Sequence, residues 1–192
     1  MRKYAMIILL VVCAGLGGYL LLKNPFSPNE TNEFMKQNNN TGMILKSSAF
    51  GEGDSIPSKF TCDGENVNPL FEIKGVPREA KSLVLIVDDP DATNGKTWNH
   101  WLVWNIDPHT QYLSEDSLPQ GGVEGVTSFG SVRYGGPCPP HESSAHHYQF
   151  KLYALDAEIK LPRGSSKEEV LTAMRSHVIG ETVLMGMYKR KG

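Results

Sequence analysis

Ser82-Leu83-Val84-Leu85-Ile86-Val87-Asp88-Asp89-Pro90-Asp91-Ala92 is the stretch that decides the fold. From Leu83 to Val87 it is apolar at both parities, so neither face of a strand built from it can be left in water. A strand of that kind lies in the middle of a sheet and is covered on both sides. The run then passes directly into an acidic group, where Pro90 fixes the turn and sets the carboxylates at the mouth of the strand.

Outward from this strand the chain repeats one pattern: short apolar, β-branched or aromatic runs bounded by Gly, Pro, Asn or Asp. They are Met43-Ile44-Leu45, Leu70-Phe71-Glu72-Ile73, Trp101-Leu102-Val103-Trp104-Asn105-Ile106, Tyr148-Gln149-Phe150-Lys151-Leu152-Tyr153 and Val183-Leu184-Met185-Gly186-Met187-Tyr188. Each is of strand length, and the run from Tyr148 to Tyr153 alternates as a strand with one wet face does. One helix is expected. Ser165 with Glu168, or Ser166 with Glu169, forms a capping box, Val170, Leu171, Met174 and Val178 give an apolar face, and Gly180 is the expected stop. No internal repeat is present. The stretch between Ile106 and Tyr148 is rich in Gly and Pro and reads mostly as loop. A structureless connection that long is usually functional, so the site is expected there.

Composition sets the outer limits. The chain has 192 residues, 40% of them hydrophobic, and a formal net charge of −2. That is enough for one core, and the balance argues against a nucleic-acid partner, which would need a basic excess or stripe. The closing Lys189-Arg190-Lys191 reads as a solvated end. Met1-Arg2-Lys3 precedes an apolar run from Tyr4 to Leu22, long enough at about 1.5 Å per residue to cross a bilayer core of roughly 30 Å. Positive charge ahead of the run directs the remainder outward. An uncleaved anchor over residues 1–23 fits best; cleavage and secretion, or lipidation at Cys13, are the alternatives. A polar linker over residues 24–42 then tethers one domain over residues 43–192, placed outside the cytoplasm and attached to the membrane. Cys62 and Cys138 both lie in loops of that domain, and the sequence leaves their pairing open.

Two clusters carry chemistry. In the first, Asp88-Asp89-Pro90-Asp91 is followed by Trp98-Asn99-His100, with Trp98 and His100 on one strand face. An acid near an imidazole orients it and favours the protonated, double-donor form that suits an anion. The plain alternative is an Asp-Pro-Asp turn that caps itself. In the second, Tyr134-Gly135-Gly136-Pro137-Cys138-Pro139-Pro140 leads to His146-His147-Tyr148. Here Gly136 permits close backbone approach, the prolines stiffen the loop, and His146 and Tyr148 share a face. His141 and His146 stand five apart, one residue too long for the zinc-protease helix signature. No serine lies in a nucleophile-elbow motif.

These two regions resemble the signatures of the phosphatidylethanolamine-binding protein family. The matching residues are Asp89-Pro90-Asp91-Ala92 with Trp98 and His100, and Tyr134, Gly136, Pro139 and Pro140 with His146 and Tyr148. Thr61-Cys62-Asp63-Gly64-Glu65-Asn66-Val67-Asn68-Pro69, Gly135 to Pro140, and Gly186-Met187-Tyr188-Lys189-Arg190 are similar to its prokaryotic, Raf-kinase-inhibitor-like branch. The resemblance spans essentially all of 43–192. It implies a mainly β fold, a β-sandwich with one or two short peripheral helices. It also implies a shallow pocket for phosphate, acetate or phospholipid head groups, lined by Asp89, Trp98, His100, Gly136, Pro140, His146 and Tyr148. Family members are mostly binders, and inhibitors of kinases or serine proteases, rather than enzymes; the prokaryotic branch is often dimeric. The chain departs from the pattern at Thr93, at Glu142-Ser143-Ser144, which alters the pocket rim, and at His147.

The functional expectation is therefore a non-enzymatic protein with a small-anion pocket and no cofactor or metal, regulating a partner protein. An alternative is an extracytoplasmic protease or kinase inhibitor working from another surface. A hydrolase using Asp89 and His100 is the third reading; the resemblance admits a homodimer, and the residues leave the oligomeric state open.

Overall fold

The computed structural model describes residues 42–93 and 95–190. The expected anchor over residues 1–23 and the tether, apart from Gly42, lie outside the described residues.

Among the described residues the architecture is mainly β, two antiparallel sheets with one α-helix and a short 3-10 turn at Ser58–Phe60. The strands are β1 (Ile44–Ser47), β2 (Phe71–Lys74), β3 (Ser82–Asp89), β4 (Trp98–Ile106), β5 (Tyr112–Leu113), β6 (Val123–Glu124), β7 (His146–Leu155) and β8 (Val178–Tyr188); the helix α1 is Lys167–Met174. The smaller sheet has the order β1-β2-β5 and the larger β6-β4-β3-β7-β8. β3 is thus the central strand of the larger sheet, and all of its residues are buried, as its unbroken apolar run requires.

The two parities of β3 serve two cores. Leu83, Leu85 and Val87 join Trp101, Val103, Phe150 and Leu152 of neighbouring strands, and Phe71, Ile73 and Leu113 of the smaller sheet, in the core between the sheets. Val84 and Ile86 pack instead with Leu102, Trp104, Tyr153 and Leu155 against Val170 and Met174 of α1. Both edges of the larger sheet are shortened or partly covered. β6 is two residues long, and residues 53–56 run alongside β8, with Ile56 N–H donating to the Met187 carbonyl and Met187 N–H to the Asp54 carbonyl.

Helix α1 starts on the second of the two expected registers. Ser166 Oγ accepts from Glu169 N–H while the Glu169 carboxylate accepts from Ser166 N–H. It stops at Met174, not at Gly180, because Val178 to Gly180 are drawn into β8 by pairing with β7. Likewise the stretch between Ile106 and Tyr148 is mostly loop but contains β5 and β6, too short to announce themselves.

One ion cluster fastens the helix to the sheet. A lysine in the first turn opposes the helix dipole, and Lys167 is there for another reason. Its ammonium lies 2.7 Å from both carboxylate oxygens of buried Asp88, and that of Lys151 lies 3.1 Å from Oδ2. Burial alone would push the Asp88 carboxyl up, but Lys167 and then Lys151 outweigh it and hold it below the ordinary range. Asp88→Asn removes the buried carboxylate that the two lysines share and is expected to cost about 3 kcal/mol, read as a lowered urea midpoint. A carboxyl whose pKa is depressed in the fold stabilises above its unfolded value of 3.8 and loses that contribution as pH falls through the lowered value. The gap between wild type and Asp88→Asn should therefore close only in strong acid.

Candidate functional site

The site begins with an irregularity in β4. Against β3, Val87 pairs with Trp101 but Asp88 pairs with Asn99, so His100 is an extra residue, a β-bulge. Strict alternation from Trp101 would turn the His100 side chain toward Asp88 and the helix. The bulge resets the parity, and His100 and Trp101 both face the side of Tyr148 and Tyr134. The bulged residue is held by Gly135 twice: Gly135 N–H donates to the His100 carbonyl at 2.9 Å, and His100 Nδ1 lies 2.7 Å from the Gly135 carbonyl. A carbonyl only accepts, so Nδ1 carries the proton and Nε2 is the free nitrogen of the neutral ring. Burial pushes the His100 pKa down, against the opposing pull of the Gly135 carbonyl and Asp89.

Asp89 closes β3 and reaches the first residue of β7. Its Oδ2 lies 2.8 Å from His146 Nδ1, and its Oδ1 accepts from Asp91 N–H at 2.9 Å. The turn thus caps itself and orients an imidazole at once. The acid partners His146, not His100, which corrects the pairing on which an Asp89/His100 hydrolase would rest. His146 and Tyr148, two apart on β7, stack with ring centroids 6.4 Å apart, and Tyr148 meets His100 edge-on at 5.2 Å. Exposures are 0% for Tyr148, 2% for His100, 4% for Asp89 and 5% for His146. The Tyr148 hydroxyl lies near the Cys138 backbone without a hydrogen bond of ordinary geometry. Burial, and then the charge of Asp89, hold its phenol protonated far above neutral pH. Next door, Asp91 Oδ2 accepts from the His147 backbone at 2.8 Å and meets its ring Nδ1 at 2.6 Å, turning His147 to the half-exposed side.

The loop that supplies Gly135 is braced from the far side. Gly136 N–H donates to Asn66 Oδ1 at 2.7 Å, and a Cβ on Gly136 would sit 2.3 Å from the Phe60 carbonyl. Only glycine fits there. Asn66 reaches this position in the left-handed region, at φ 60. Cys62 N–H donates to the Pro137 carbonyl, and Cys62 and Cys138 are joined by a disulfide across 76 residues of sequence. Asp63 accepts from the Tyr188 hydroxyl and, through both oxygens, from Arg190, so the closing basic run is not simply solvated. Pro140 is exposed, and its carbonyl accepts from Ser143 N–H and Oγ, which folds the departing Glu142-Ser143-Ser144 rim into a tight turn.

Of the residues expected in the pocket, Asp89, His100, His146 and Tyr148 form one buried cluster. Gly136 lies behind it as a support, Trp98 stands at its edge, and Pro140 shapes the loop exit. Sequence reasoning missed Phe129, whose ring meets those of Trp98 at 5.4 Å and His100 at 5.2 Å. Asn66 and Tyr134 stood in the quoted motifs without a role; both brace the loop, Tyr134 through its hydroxyl to the Phe60 carbonyl. The signal available for Phe129 was its place among the glycines; for Asn66 it was the Asp-Gly-Glu-Asn turn. Among the described residues, no three His, Cys, Asp or Glu side chains are grouped to hold a metal. A separate cavity of about 430 Å³ between β2 and residues 108–112 shares no residue with the imidazole cluster.

The two sheets thus carry a buried His, His, Tyr and Asp cluster behind a glycine-proline loop. The model of the phosphatidylethanolamine-binding protein family matches residues 46–189, and the chain belongs to that family. It is 50% identical over 153 residues to a UPF0098 protein of Methanothermobacter thermautotrophicus, covering 77% of this chain and 99% of the relative. Among solved structures, it is similar to a phosphatidylethanolamine-binding protein homologue from Chlamydia trachomatis, with 40% identity and a TM-score of 0.74 over 79% of this chain and 99% of that one. It is also similar to Escherichia coli YbcL, with 33% identity and a TM-score of 0.73 over 78% and 99%. Membership supports a binding protein in general terms.

The bracing makes a prediction about redox state. Opening the 62–138 bridge frees a long loop in the unfolded chain, and Cys62→Ser with Cys138→Ser is expected to cost about 4 kcal/mol in the urea midpoint. The His100 ring signal should also shift in the NMR spectrum as Gly135 loosens; an unmoved His100 would show that the bridge does not support the site.

Proposed function

We propose that the chain is a non-enzymatic binding protein that takes a small anion, a phosphate or phospholipid head group, on Tyr148, His146 and His100. The Tyr148 hydroxyl carries this reading. A buried donor left unpaired costs about 1–3 kcal/mol, which an arriving oxygen acceptor recovers. Beside it stand two imidazoles whose Nδ1–H groups are spent on Asp89 and Gly135, so that each offers its Nε2 edge. Protonation turns those edges into donors, and Asp89 balances positive charge on His146. The bridged cysteines have no thiol to act as a nucleophile. The disulfide also supports a domain that works in an oxidising compartment, in keeping with the expected export.

The pH dependence has a definite sign. Burial lowers the His100 pKa below 6.5, so at pH 8 the free ring is neutral. A bound anion favours the imidazolium and raises that pKa, so binding takes up a proton and affinity increases as pH falls, by at most about tenfold per unit for each proton. Sulfate stays fully ionised throughout, which leaves only the protein to titrate. Calorimetry from pH 8 to 5.5 should show sulfate binding more tightly in acid; affinity independent of pH would overturn the reading. Tyr148→Phe should weaken sulfate binding about tenfold and His146→Ala should abolish it. Unchanged affinity in both variants would show that the anion sits elsewhere.

A further inference from the structure

The buried cluster has a roof that comes from another part of the chain. Phe129 sits at the tip of a tight turn in which Thr127 N–H bonds the Ser131 carbonyl and Gly130 N–H the Thr127 carbonyl, with Gly130 at φ +75. The turn is fastened beside the bulge, since Ser128 N–H donates to the Asn99 carbonyl and Asn99 N–H to Ser128 Oγ. The backbone on either side of Phe129 is therefore fixed, and only its ring is free to turn. That ring lies against the bare Cα of Gly135: a Cβ there would meet Phe129 Cε2 at 2.7 Å and Cδ2 at 2.8 Å. No backbone atom is among the nearest neighbours of such a Cβ. Phe129 is 46% exposed and Trp98 39%, so two aromatic faces stand in water beside polar groups that are almost wholly covered.

We infer that Phe129, seated in the space left by Gly135, is the specificity-determining residue of the site, favouring phosphate esters with an apolar substituent over bare inorganic phosphate. The inference rests on the anion-binding reading above and deepens it. A ligand reaches the His100 edge by displacing the Phe129 ring. Inorganic phosphate gains nothing for that displacement, because it has no surface to offer the ring once moved. An ester places its anionic end on Tyr148 and the imidazoles and its apolar end against Phe129 and Trp98, removing exposed aromatic surface from water.

The test compares inorganic phosphate with phenyl phosphate at pH 8, where both are dianions, by calorimetry on the intact protein. Wild type should prefer the ester by about tenfold, the scale of one or two aromatic contacts. In Phe129→Ala the preference should fall to within twofold while inorganic phosphate binds as well as before or better. Gly135→Ala has no strained dihedral to contend with, and its new methyl should expel the ring and lose the preference in the same way. In the Phe129→Ala background it should then add little. Both probes binding to wild type with no preference, or with a preference that survives Phe129→Ala, would overturn the selectivity and leave the anion site standing. Neither probe binding to wild type, at pH 8 or on repeating the titration at pH 5.5, would overturn both.

Discussion

The site depends on one extra residue in β4. A strand sends its side chains alternately to two faces, and the face opposite the site is already occupied by Asp88, its two lysines and the core beneath α1. The bulge at His100 breaks the alternation once, where the central pair of strands ends. It brings Trp98, His100 and Trp101 to the same side, and it frees the His100 backbone from β3 so that Gly135 can take it. The second cluster of the sequence is thereby attached to the first through one residue, by a backbone bond and a ring bond. Everything that stiffens the Gly135 loop, from Asn66 to the disulfide, acts on His100 through that double contact.

Adjacent acids on β3 show the same parity at work. Asp88 and Asp89 differ by one position and by a whole sheet face. Asp88 is closed off by Lys151 and Lys167 and serves as an anchor for the helix. Among the described residues Asp89 pairs with no lysine; its partners are an imidazole and the turn backbone, so it orients a group rather than neutralising one. Asp91, past the proline, performs a similar service for His147 on the outer side. Three carboxylates in four residues thus have three separate environments, set by strand period and a single turn.

Much of this was legible in the residues. The double-sided apolar run placed β3 at the centre, and the period of two put His146 with Tyr148 and Trp98 with His100. What was not legible depends on partners distant in sequence. Which imidazole Asp89 meets is decided by the β3–β7 pairing, and no local spacing encodes it. The bulge has no signature in composition, because His100 occupies a position that reads as ordinary strand. The helix end was misplaced because β7 offers Val178 to Gly180 a pairing partner, and tertiary pairing outweighed a glycine stop signal. Pairing of Cys62 with Cys138 stayed open because loop proximity is a property of the folded chain. Phe129 was passed over as one residue in a glycine-rich loop, since its importance comes from the absence of a side chain six positions later.

That absence has a consequence for how the protein can change. The polar floor is assembled from β3, β4 and β7, strands that also supply most of the apolar residues of both cores. The roof is one ring on a surface turn, lodged against a glycine. Substitutions at 129 can therefore alter the entrance while the floor keeps its geometry, and a side chain regained at 135 could take over the same space. Descendants of one ancestral site can diverge in what they admit without re-evolving how they hold it.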